Sequence, residues 1–232
     1  MKKNTLQHLK LTLLLCVATL CNNTIAQNTS PDIGLYFSTV NSATTTPDSA
    51  GFIRRWLLLE PIDKPNRSNT VFTDSYLAKV FNTEYFKNQF SIIPTDQQKV
   101  KVGKQKLTWH ALDSKLFNVK LFRFASGLQK QVYGVLFWGV TIINCDADIE
   151  NVRLSAGSNS ASAWWLNGQQ VLLMSGDRRM VQDDCTSARL TLHKGKNILR
   201  CAIINGPGMS DFCVRFIDEN NKPVNNFNIS CK

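Results

Sequence analysis

The sequence predicts a mainly β protein, an antiparallel β-sandwich with one short helix around residues 74–87. Three observations predict it. After Ser91, strand-like runs recur at intervals of about 8–12 residues with Gly, Asn and Asp between them, the punctuation of an all-β sandwich or barrel. Helical spacing is confined to the stretch after Thr73. The run 131–144 is long and apolar, which suits a strand in the middle of a sheet.

The amino terminus comes first in the chain and sets the expected compartment. Lys2, Lys3 and Lys10 precede an apolar run over 11–20, and Thr24-Ile25-Ala26 places small residues three places and one place before a cut ahead of Gln27. That is the grammar of a secretory signal peptide over 1–26. The run falls short of the roughly 20 residues that span a bilayer. No later segment is long and apolar enough, so no transmembrane segment is expected. Leu15 and Leu20 stand before Cys16 and Cys21, where a lipid-anchor site needs a small residue. The chain is therefore expected to be secreted or periplasmic.

Residues 27–50 are rich in Thr, Ser, Asn and Pro and read as a flexible lead-in. A single β-sandwich domain is expected over 51–232, with no internal repeat and no second linker. Phe52-Ile53-Arg54-Arg55-Trp56-Leu57-Leu58-Leu59 gives its first strand, closed by Pro61 and Pro65. Tyr76, Leu77, Val80 and Phe81 fall at helical spacing behind Thr73 and Asp74, either of which can cap a short helix. Further strands are expected over 100–102, 106–110, 119–124, 131–144, 151–156, 161–166, 170–174, 188–193, 197–204 and 211–218. Asn167-Gly168 between two such runs is a strong hairpin signal. Lys194-Gly195-Lys196 reads as a second tight turn.

Charge and cysteines narrow the function classes. Without Lys2, Lys3 and Lys10 the formal net charge falls from +10 to +7, and the bases are spread along the chain. A nucleic-acid footprint needs a basic patch with interleaved aromatics, which is not present. Attraction to an acidic polysaccharide or an anionic surface fits the charge, but charge alone does not establish it. Cys145, Cys185, Cys201, Cys213 and Cys231 allow two disulfides with one thiol over, or simply small buried apolar side chains. Zinc ligation is not expected, because there is no Cys-x-x-Cys and His110 and His193 lie far apart. No metal and no cofactor are assigned.

The sequence also offers no catalytic residues. Gly-x-Ser-x-Gly is absent, and so are the phosphate-binding glycine signatures. Ser114, His110 and Asp113 make a triad only on paper, since near neighbours rarely converge that way. The acidic residues, 17 in all, form no informative pair for glycoside hydrolysis.

The second half carries a more specific succession. It runs Ala156-Gly157-Ser158-Asn159-Ser160, then Ala163-Trp164-Trp165-Leu166-Asn167-Gly168, then Leu190-Thr191-Leu192-His193-Lys194-Gly195-Lys196-Asn197-Ile198-Leu199. Ile204-Asn205-Gly206-Pro207-Gly208 and Phe212-Cys213-Val214-Arg215-Phe216 complete it. This order resembles the galactose-binding-like jelly-roll accessory modules of secreted carbohydrate esterases and glycoside hydrolases, over roughly 51–218. Residues 52–109 also resemble the amino-terminal region of acetylxylan- and feruloyl-esterase-type proteins. The resemblance implies a non-catalytic module that binds a plant-type polysaccharide or oligosaccharide, or serves as partner of a hydrolase domain. The alternative it implies is a truncated or split esterase whose α/β-hydrolase domain lies elsewhere. The sequence departs from the pattern at Asn159-Ser160, which replace the family's acidic pair, and it ends at Lys232, about where a hydrolase domain would begin.

Sugar recognition needs aromatic faces for the apolar side of the ring and amides or carboxylates for its hydroxyls. Trp164 and Trp165 are adjacent on a strand and must face opposite ways. Trp164 shares a face with Leu166, so Trp164 is expected in the core and Trp165 exposed, with both buried as the alternative. Asn159, Asn167, Asn205 and Asp211 are the polar candidates at the loop ends, and each also has a turn-forming explanation.

Overall fold

Two antiparallel sheets and a covering strap account for the architecture. The computed structural model describes residues 33–232 except Arg67, so the leader expected over 1–26 lies outside the described residues. The strands are β1 (Phe37–Thr39), β2 (Arg55–Asp63), β3 (Lys99–Val102), β4 (Gln105–Ser114), β5 (Val135–Cys145), β6 (Ile149–Ser158), β7 (Ser162–Leu166), β8 (Gln169–Met174), β9 (Cys185–Thr186), β10 (Leu190–Leu192), β11 (Gly195–Asn205), β12 (Phe212–Ile217) and β13 (Asn228–Ser230). The larger sheet runs β1-β4-β2-β5-β11-β7-β8, with β3 also on β4 and β13 also on β5. The smaller runs β10-β6-β12, with β9 also on β6.

The large sheet has a core on each face. Toward the small sheet, Trp56, Trp164, Leu154, Phe212, Val214 and Phe216 pack together. On the other face a strap over 64–98 lays Leu77, Val80, Phe81 and Phe86 on Trp109, Trp138 and Trp165. β5 meets both cores, and ten of its eleven residues are buried, which is why its sequence is a continuous apolar run rather than an alternating one. Arg200 ties the strap down by donating from Nη2 to the Ile92 carbonyl at 3.0 Å, and burial pushes its pKa down to about 10.

Helix α1 (Asp74–Asn82) begins as expected, with the Tyr76 amide donating to the Thr73 hydroxyl at 3.4 Å. It ends earlier than residue 87, because Thr83 turns extended and Gln89 fastens the chain to Tyr85 and Thr83. A second helix, α2 (Leu121–Gly127), replaces the strand expected over 119–124. Leu121, Phe124 and Ala125 form its buried stripe, and their i, i+3, i+4 spacing is the helical signal that the apolar run obscures.

Three further expectations change. Phe37–Thr39, inside the stretch read as a flexible lead-in, pairs with β4 through Phe37–Ser114 to Thr39–Leu112 and buries Phe37. Residues 131–134 form a loop, and β5 starts only at Val135. Lys194 lies in a passage between sheets, since β10 pairs with β6 and β11 with β5. The Asn167-Gly168 hairpin is as expected, with φ of 51° and 86° at the two central residues, the pattern of a type I′ turn. Cys145, Cys185, Cys201, Cys213 and Cys231 are all unpaired thiols.

Candidate functional site

Neither tryptophan is a surface platform. Trp164 is fully buried against Trp56 and Phe212, at ring separations of 6.4 and 5.4 Å. Trp165, expected to be exposed, is only 3% exposed. It points through the opposite sheet face, as a strand neighbour must, but the strap covers that face. Phe81, Phe90 and Trp138 stand 6.4, 6.0 and 5.2 Å from its ring.

The polar candidates divide between the two ends of the sandwich. Asn167 sits at the hairpin end of β7, where its Oδ1 accepts from the Ile198 amide at 2.8 Å and its Nδ2 donates to Asn197. At the other end, the Asn159 amide donates to the Asp211 carbonyl at 2.9 Å. Asp211 and Asn205 are buried there, so both organise the loops rather than face solvent. Asp211 accepts from Lys120 at 2.9 Å, yet desolvation outweighs the help of Lys120, the Phe122 amide and Arg123 and raises its pKa.

Asn205 is the more informative of the two. Its Oδ1 accepts from the Val135 amide at 3.2 Å and its Nδ2 donates to the Val132 carbonyl at 2.8 Å. These bonds grip the chain on both sides of Tyr133 and Gly134. Gly134 has φ of 62°, and a Cβ there would come within 3.2 Å of the backbone at Pro65 and Asn66. The Lys64 amide donates to the Gly134 carbonyl at 2.8 Å. The result is a fixed loop that projects the Tyr133 ring outward.

Tyr133 is 47% exposed, the most exposed aromatic among the described residues. It lines a hollow of about 400 Å³ with Asp63, Pro65, Asn66, Gln131 and Gly134. Asn66 is held by Tyr76, whose hydroxyl donates to its Oδ1 at 3.0 Å, and the Gln131 amide donates to the Tyr133 carbonyl at 3.2 Å. The Asp63 side chain is exposed and turned to solvent. An aromatic ring beside a carboxylate and two amides is the chemistry of a sugar subsite, with C–H groups on the ring and hydroxyls on the polar wall. Sequence reading missed Tyr133 because it opens an apolar run. The signal was Gly134, which breaks that run immediately after it.

A larger hollow of about 560 Å³ lies between the 39–44 loop and Thr95-Asp96, with Ala111, Asn144 and Cys231 also lining it. It contains hydroxyls and amides but no aromatic face. Beside it, buried Arg55 is fully engaged, donating to both Asp113 oxygens at 2.8 Å and to Ser42. Ser114, His110 and Asp113 do not converge: Ser114 bonds the Leu116 and Asn118 carbonyls, His110 faces Glu60 at 3.4 Å, and Asp113 faces Arg55. No group of three metal-ligating side chains occurs among the described residues.

Comparison with known proteins gives distant likenesses. No family model matches the chain, and no curated protein matches it. Among solved structures, the PA14 sugar-binding domain from an RTX adhesin aligns at a TM-score of 0.41 and 12% identity, covering 77% of this chain and 99% of that one. The PA14 domain of the antifreeze protein MpAFP aligns at 0.36 and 12%, covering 80% and 94%. The β-glucosidase of Kluyveromyces marxianus aligns at 0.35 and 18%, over 53% of this chain but only 16% of that enzyme. Scores and identities this low establish no shared family and no shared ligand.

Proposed function

We propose that the protein is a non-catalytic carbohydrate-binding module that takes a sugar ring on Tyr133. The observation that carries this reading is a solvent-facing tyrosine, fixed by Asn205 and Gly134, over a hollow walled by Asp63, Asn66 and Gln131. A preformed site of this kind, with an apolar face and a few placed polar groups, suits a small polar ligand. The same reading has the chain exported by its leader and working beside a polysaccharide hydrolase, of the esterase or glycosidase type.

The test is a pull-down of the protein on soluble and insoluble polysaccharides, with Tyr133→Ala and Asp63→Asn beside it. Binding by the parent that fails in a folded Tyr133→Ala supports the reading. Absence of binding to every glycan, or unchanged binding by Tyr133→Ala, overturns it.

A further inference from the structure

Ring contacts continue from Tyr133 beyond the hollow. The ring of Phe122, on α2, lies 5.7 Å from that of Tyr133. The Arg123 guanidinium lies 5.8 Å from the Phe122 centroid and 5.4 Å over the ring of Tyr36. Tyr36, Arg123, Phe122 and Tyr133 therefore form one continuous strip, and all four are at least partly open to solvent. The aromatic flanks hold the guanidinium by cation–π attraction and restrict its freedom before any ligand arrives.

Arg123 differs from the other partly buried arginines in what it faces. Arg178 and Arg215 each have a carboxylate, in Asp184 and Asp183, as buried Arg55 has in Asp113. Arg153 bonds the Asp218 carbonyl and Asn221. Arg123 has neither an ion pair nor a hydrogen bond among the described residues; its contacts are the two rings and the field of buried Asp211. Lys120 and Lys130, on either side of α2, are already paired with Asp211 and Glu60. A cation positioned in advance and left with its donors free, one ring away from the Tyr133 hollow, lacks an anion.

We infer that the site takes an anionic glycan, with the sugar ring on Tyr133 and a carboxylate of the same chain on the Arg123 guanidinium. The inference rests on the reading of Tyr133 as a sugar platform and adds the class of sugar. A guanidinium presents parallel N–H donors that match a carboxylate in two bonds. Asp63, on the wall of the hollow, accepts from the hydroxyls of the ring on Tyr133. A uronic-acid chain offers both groups, whereas a neutral chain offers hydroxyls alone and leaves Arg123 unmatched.

The experiment is calorimetric titration of the full chain with three oligosaccharides of equal length, one of uronic acids, one neutral and one sulfated. The uronate is expected to bind about tenfold tighter than the neutral chain, roughly the 1.4 kcal/mol that one decade represents, and to weaken as salt is raised while the neutral ligand does not. Arg123→Gln should bring the uronate to the neutral level with the fold retained by circular dichroism, and Arg123→Lys should retain part of the preference. Equal binding of neutral and charged chains, or a uronate affinity untouched by Arg123→Gln, overturns the inference. A sulfated chain that outbinds the uronate assigns the anion to sulfate in place of carboxylate. Neutral binding that depends on Tyr133 without any preference for charge removes this inference alone. Absence of binding to all three removes the sugar reading with it.

Discussion

Trp164 and Trp165, neighbours in β7, point through opposite faces of one sheet and close two separate cores. Trp164 meets Trp56 and Phe212 between the sheets, and Trp165 meets Trp138, Phe81 and Phe90 beneath the strap. Either tryptophan replaced by alanine should cost about 3–5 kcal/mol, the range for a buried large aromatic. The two losses should nonetheless differ in kind. Trp165→Ala should loosen the strap, so that exchange protection falls first at 85–98, whereas Trp164→Ala should weaken the contact between the sheets. Denaturant melts with hydrogen exchange check this; equal protection loss on both faces in each variant contradicts it.

Local pattern accounts for what the sequence revealed. The apolar run of β5, the Asn167-Gly168 turn and the Thr73 cap are signals carried by adjacent residues, and each was legible. The cover over Trp165 was not, because it comes from Phe81 and Phe90, far away in sequence and on a segment with no strand pattern. α2 was missed because Val119, Leu121, Phe122 and Phe124 satisfy alternation and helical spacing alike. β1 was missed because Phe37 is its single buried residue. Of the polar candidates, Asn159, Asn205 and Asp211 gather at one loop end while Asn167 lies at the other, and Asn205 grips the loop that carries Tyr133.

Buried Asp211 predicts a pH dependence. Burial raises its pKa above the ordinary 3.8 despite the bond from Lys120. A raised carboxylate favours folding in its protonated form, so its contribution is full below about 3.8 and is lost as pH rises through the higher folded value. Asp211→Asn should therefore gain stability relative to the parent as pH climbs from acid toward neutral. Melting temperature against pH for the two proteins measures it, and a constant difference across that window contradicts it.

Asp183 predicts the opposite sign. Burial acts to raise its pKa, but hydrogen bonds from Arg215 and Ser155 outweigh it and hold the carboxyl below the ordinary value. Ser155 and Arg215 are cross-strand partners on β6 and β12, and Asp183 ties them together from the adjoining loop. Its stabilisation is complete above about 3.8 and disappears as pH falls through the lower folded value. Asp183 has φ of 54°, which asparagine tolerates, so Asp183→Asn isolates the charge. That variant should lose about 1–2 kcal/mol at neutral pH, discounted because the side chain is 31% exposed. The deficit should close in strong acid, and urea melts at the two extremes decide the matter.

The thiols should divide four to one. Cys145, Cys201, Cys213 and Cys231 are buried, and Cys185 alone among the described cysteines is partly open, with Arg178 donating toward its sulfur at 3.4 Å. Burial raises the Cys145 and Cys201 pKa values and pushes Cys213 and Cys231 to about 12, leaving little thiolate at neutral pH. Brief alkylation of the folded protein, mapped by peptide mass spectrometry, should modify Cys185 well before the other four. Denaturation should then open all five to the reagent. Rapid native labelling at Cys213 or Cys231 would instead mean that β12 or the segment after β13 opens on the timescale of the reaction, because a buried thiol of that pKa reacts only when local unfolding exposes it.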